Sequence, residues 1–199
     1  MVDPALPSES QLPCTTGISF MDQVIRETPG DSRLEMCIQC GTCGGSCPSG
    51  PDMDHTPRQI FAMIRADMCE EVLRSNTPWY CVSCYYCMVR CPQEVHITDL
   101  MYTLKSMSLR SKLYKDKAAP DLARTFSRYV VEYGRAFEFG LATIQSLSHR
   151  TTSVQGLAQL GLGMLGKRRM DLTPHRIKGL DQLKAILQKA DAMEEEARR

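Results

Sequence analysis

Between Thr56 and Asn76 the apolar residues Ile60, Ile64, Met68 and Val72 fall at every fourth position. That step keeps them on one side of an α-helix, and the stretch shows neither alternation by two nor β-branched enrichment. Thr56-Pro57 supplies a cap followed by proline at the first helical position. Asn76-Thr77-Pro78 closes this helix, with Cys69 inside it as a small buried apolar side chain.

The same reasoning places helices elsewhere. Ser19 caps a short one through Glu27, with Phe20 and Val24 on one face and Pro29-Gly30 ending it. Thr98 caps another, with Asp99 in the first turn where the helix dipole favours an acid. In it Leu100, Leu104 and Met107 or Leu109 face inward, while Lys105, Arg110 and Lys112 do not; Ala119-Pro120 breaks it. From Asp121 a seam runs through Phe126, Val130, Tyr133, Phe137, Gly140, Ile144 and Leu147, the length of a long helix. Core packing and partner docking both fit that seam, and Gly134 and Gly140 mark a bend or a close helix contact. Leu157, Leu160 and Met164 share a further face, weakened by nearby glycines. Thr173-Pro174 opens a last helix with Ile177, Leu180, Leu183 or Lys184, Leu187 and Ala190 in register, ending in a solvated EEEARR.

The expectation is an all-α protein in three parts. Residues 1–18, rich in proline and small polar residues, form an extended arm. Residues 19–118 hold the cysteines and the first helices, and 119–199 form a helical partner-docking region. A net charge of +1 gives no electrostatic case for nucleic acid. The start, MVDPALPSES, lacks the basic and apolar regions of a secretory signal. The longest apolar stretch, Leu157 to Leu165, is interrupted by Gly161 and Gly163 and falls short of a membrane span. The chain is therefore expected in the cytoplasm with reduced thiols.

Ten cysteines change the picture. Eight lie in two runs, CIQCGTCGGSCP from Cys37 and CVSCYYCMVRCP from Cys81, each spaced C-x2-C-x2-C-x3-C-P. Three thiolates two residues apart can wrap one loop around three corners of an iron–sulfur cube, and soft iron takes soft sulfur ligands. The longer gap turns the fourth cysteine away, and proline stops its segment from continuing the loop. A zinc ribbon uses four ligands per metal, and two identical runs of four are too many and too regular for one. Gly41, Gly44 and Gly45 let backbone approach the first cluster. Trp79, Tyr80, Tyr85 and Tyr86 are expected to shield a cluster from water. Cys14 reads as a spare thiol, and His55 and His96 as polar loop residues.

The runs are similar to those of two-cluster ferredoxins, in which the fourth cysteine of one run ligates the other cluster. That resemblance assigns Cys37, Cys40, Cys43 and Cys91 to one 4Fe–4S cluster and Cys81, Cys84, Cys87 and Cys47 to a second. With a helical spacer between the runs, the chain resembles the α-helical ferredoxin fold. It is most similar to the C-type iron–sulfur subunit of heterodisulfide reductase, and the stretch FSRYVVEYGRAFEFG at Phe126 to Gly140 looks like the matching segment of that family. The resemblance spans roughly residues 19 to 145.

It implies a non-catalytic electron conduit in a hetero-oligomer. Single electrons would pass between an A-type subunit that bears flavin and iron–sulfur centres and a catalytic B-type subunit with CCG motifs. This chain has no CCG motif and so should not itself act on a disulfide, thiol or sulfane-sulfur substrate. Both the methanogen enzyme and the heterodisulfide reductase-like complex of sulfur oxidisers fit. The alternative context is a flavin dehydrogenase for a small acid.

Overall fold

The computed structural model describes Cys14 and residues 17–149, 161–164, 166–167 and 171–197. Among these residues there are helices and no strand. Two compact units divide at Asp116 and Lys117.

The first unit is built around the longest of its helices. In chain order it contains α1 (Phe20–Glu27), α2 (Thr42–Gly45), α3 (Pro57–Arg65), α4 (Cys69–Arg74), α5 (Thr77–Tyr80), α6 (Tyr86–Val89) and α7 (Ile97–Ser111). α7 packs against α1, α4, α5 and α6. Its Leu100, Leu104 and Met107 are buried with Val24 of α1, Ile60 and Ile64 of α3, and Val72 and Leu73 of α4. Burying each such side chain contributes about 1.5–3 kcal/mol, which is why the four-residue spacing decides the fold.

The local starts are as the sequence predicts for two helices. Ser19 Oγ accepts the N–H of Asp22 at 3.1 Å, capping α1. Thr56 and Gln59 form a capping box on α3, with Pro57 next to the cap.

The segment from Pro57 to Asn76 is not one helix. α3 stops at Arg65, and α4 begins at Cys69. Asp67 turns left-handed between them, φ 54°, and its Oδ1 accepts the backbone N–H of Phe20 at 2.7 Å. An orphan donor at the start of α1 thus takes a side chain from 47 residues away, and the spacer breaks to supply it.

Cys14 is not a spare thiol, and Cys69 is not merely a small apolar side chain. The two form a disulfide with Cα atoms 5.5 Å apart. The expectation of reduced thiols thus fails for this pair. Closing a loop between cysteines 55 residues apart restricts the unfolded chain by about 4 kcal/mol in the chain-entropy account.

Thr98 does not cap α7. His96 stands at the cap, and Thr98 sits inside the first turn, buried. α7 ends at Ser111 with left-handed Lys112, ahead of the proline expected to break it.

The second unit holds α8 (Ala118–Tyr133), α9 (Glu138–His149) and α10 (Leu180–Ala197). Ala119-Pro120 lies in the first turn of α8, where proline is tolerated, and so starts this helix instead of stopping the last one. The seam from Phe126 is split between α8 and α9 at Gly134, φ 82°. A side chain there would also collide with Ile177. Ile177 N–H donates to Tyr133 O at 3.0 Å, closing the end of α8. Residues 173–179 are not helical, and α10 begins at Leu180 and not at Thr173-Pro174. α10 also runs on through the acidic stretch expected to be a tail. Leu157 and Leu160 lie outside the described residues; Met164 is helical. No described helix is long and apolar enough to cross a membrane.

Candidate metal centre

The two cysteine runs fold as copies. A helical turn precedes each, Leu34–Met36 before Cys37 and α5 before Cys81. The backbone then turns left-handed twice at matching positions. These are Gln39 and Gly41 in the first run, φ 60° and 83°, and Ser83 and Tyr85 in the second, φ 54° and 62°. One helical turn follows in each, α2 and α6, and its N–H groups bond back to Gly41 O and Tyr85 O respectively. α2 packs against α6, so the runs face each other.

Neighbouring helices hold these loops. Arg65 of α3 donates to Leu34 O and Glu35 O at 3.2 and 3.0 Å. Lys105 of α7 donates to Cys81 O at 3.2 Å, and Tyr102 shares a 2.7 Å hydrogen bond with Ser83. Asp54 and Asn76 exchange backbone-to-side-chain bonds of 2.6 and 3.0 Å, tying the end of the first run to the start of the second.

The pairing creates two cavities. One is lined by Cys37, Cys40, Cys43 and, from the other run, Cys91. The second is lined by Cys81, Cys84, Cys87 and, from the first run, Cys47. All eight cysteines are free. The sulfurs ring a space instead of meeting at a point: among the described residues no three His, Cys, Asp or Glu converge on a single-ion position. Ile97 lines both cavities.

Burial governs the thiols. It pushes Cys43 up to about 11, with the neighbouring Cys37, Cys87 and Cys40 adding to the rise. Cys47 and Cys87 are raised for the same first reason, and Cys47 also by Cys84 and Cys81 of the opposite run. Cys40 is lowered instead, chiefly by the Thr42 hydroxyl 3.4 Å from its sulfur. Buried thiols resist ionising until a cation compensates the charge, which couples their deprotonation to metal binding.

The donor set suits sulfur-ligated iron. Gln39 Nε2 donates to Cys37 Sγ at 3.5 Å, and Val95 N–H to Cys91 Sγ at 3.4 Å. Hydrogen bonds to sulfur are among the levers on cluster potential. Arg58 lines the first cavity, and Thr98 lines the second. These residues fit 4Fe–4S clusters.

Some expected roles come out differently. Tyr80 and Tyr86 are exposed and line neither cavity, whereas Tyr85, about half exposed, lines the second. Gly44 is small because Thr56 packs against it, 3.0 Å from where a Cβ would sit. His96 stands at the N-cap position of α7 without a side-chain capping bond, and its Nδ1 lies 3.5 Å from Asp99. Sequence reasoning missed Arg58, Ile97 and Thr98. Ile97 and Thr98 lie five and six positions after Pro92, and the step from proline to helix start was the only signal for them.

Residues 33–95 match the family described as a 4Fe-4S dicluster domain. A CoB–CoM heterodisulfide reductase iron-sulfur subunit of the C type from Methanocaldococcus jannaschii is 37% identical over 103 residues, 52% of each chain. The C-type subunit of an H2:CoB-CoM heterodisulfide,ferredoxin reductase from Methanothermobacter marburgensis is 44% identical over 77 residues, 39% of this chain and 41% of that one. The C-type subunit of a ferredoxin:CoB-CoM heterodisulfide reductase from Methanosarcina acetivorans is 35% identical over 106 residues, 53% of this chain and 42% of that one. The chain thus spans about half the length of the relatives it matches, or less.

Proposed function

From a cysteine-rich stretch homologous to C-type subunits of heterodisulfide reductase, we propose that this chain is the electron-transfer subunit of a heterodisulfide reductase-like complex. It carries two 4Fe–4S clusters, one on Cys37, Cys40, Cys43 and Cys91 and one on Cys47, Cys81, Cys84 and Cys87. The observation that carries this reading is the pair of adjacent cavities, each ringed by three cysteines of one run and the fourth of the other. The clusters supply one-electron chemistry when bound. The chain's residues hold them side by side across Ile97, exclude water through buried Phe61 and Met101, and present donors to the thiolate sulfurs.

No residue is assigned a catalytic role. Single electrons pass between a flavin-bearing partner and a CCG-motif partner, and the latter acts on a disulfide, thiol or sulfane-sulfur substrate. Support for partner docking comes from the apolar residues left open near the second run, Val82 and Val89, and from Phe126 and Leu147 in the second unit.

Anaerobic affinity purification of the chain, with mass spectrometry and iron and sulfide assay, tests this reading. Recovery of flavin and CCG-motif partners together, with about eight irons per chain, is the expected result. Recovery of a flavin dehydrogenase alone places the chain in the small-acid context instead.

A further inference from the structure

α7 carries three buried hydroxyl residues on its inner side, and two have partners. Thr103 shares a 3.1 Å bond with Thr28, and Ser108 donates to Leu73 O at 3.0 Å. Thr98, 1% exposed, has no hydrogen-bond partner of normal geometry. It lines the second cavity with Cys47, Cys81, Cys84 and Cys87, between the shared wall at Ile97 and Met101 one turn further on. The Cys87 thiol lines the same cavity, on the run that faces α7.

A buried hydroxyl without a partner is costly, and valine would fill the same space without that cost. In the first cavity Gln39, Thr42 and the Val95 N–H each face a cysteine sulfur. The matching position to Thr42 in the second run is Tyr86, which is exposed. The second cavity draws its side-chain hydroxyl from α7 instead.

We propose that Thr98 is a positioning residue for the second cluster: its buried, unpartnered hydroxyl donates to a sulfur of that cluster and raises the cluster's reduction potential. A donor to sulfur stabilises the more negative, reduced state, so its removal lowers the potential. The inference rests on the two-cluster reading above.

The test is potentiometric titration of the anaerobically purified complex, followed by electron paramagnetic resonance. The signal perturbed by Cys84→Ser identifies the second cluster. Thr98→Val should shift that signal's midpoint to lower potential and leave the first cluster's unchanged. Thr98→Ser, which restores the hydroxyl, should bring it back. If valine prevents loading, the smaller Thr98→Ala takes its place, with the same shift expected. Unchanged midpoints, a shift confined to the first cluster, or a serine variant shifted as far as valine would each overturn the proposal. A wild-type chain lacking two clusters by iron and sulfide assay overturns the two-cluster reading itself, which separates the two failures.

Discussion

Tyr85 stands in the second cysteine run where Gly41 stands in the first, and both are left-handed, φ 62° and 83°. Glycine takes that conformation freely, whereas a residue with a Cβ is strained there by about 1–2 kcal/mol. Tyr85→Gly relieves the strain but gives up about 0.5–1 kcal/mol of backbone entropy. The expected outcome is stability unchanged or raised by up to about 1.5 kcal/mol in an anaerobic melt. Gly41→Ala should lower it by about 1–2 kcal/mol. A fold that keeps a strained, exposed aromatic has another use for it, so Tyr85→Gly should also weaken co-purification with a partner. A glycine variant less stable than wild type would remove the strain argument.

The Asp54–Asn76 clasp gives a pH dependence with a definite sign. The Asn76 backbone N–H, and after it Lys115, hold the Asp54 carboxyl below its ordinary 3.8. A carboxylate with a depressed folded pKa stabilises the fold above its unfolded value, and that stability is lost as pH falls through the folded pKa. Asp54→Ala should therefore cost about 0.5–1 kcal/mol at neutral pH, a figure kept small by solvent screening. The gap to wild type should close below pH 3.8. Urea midpoints of the apoprotein at neutral and acid pH check this; a gap that widens in acid would contradict it.

The exchange of fourth cysteines between the runs has a test that needs only two further variants. Cys91 lines the cavity of the first run and Cys47 that of the second. Cys47→Ser should perturb the same resonance signal as Cys84→Ser, and Cys91→Ser the same one as Cys40→Ser. Pairing of the Cys47 variant with Cys40 would mean that each run serves its own cluster.

What the sequence made legible was local. Ser19, Thr56-Pro57 and the Leu100–Leu104–Met107 spacing act over one or two turns, and each helix they mark is present. The misreadings share a long-range cause. Nothing near Asp67 says that its carboxylate will reach Phe20, so the spacer reads as unbroken. Nothing near Thr173 says that Ile177 will bond Tyr133. Thr98 has the chemistry of a cap, and only the packing of α7 shows that its hydroxyl is buried instead. For the site, the cysteines were legible because ligand type and spacing are themselves sequence. Arg58 and Ile97 were not, because their roles come from where α3 and α7 end up.

The shared wall at Ile97 means that duplication has not produced redundancy. The same isoleucine lines both compartments. Each compartment also borrows its fourth corner from its neighbour. On the two-cluster reading, neither run could be excised to leave a working half, and a lesion at Ile97 would reach both compartments. The repeated motif is thus a single indivisible device, whose parts must be gained, kept or lost together.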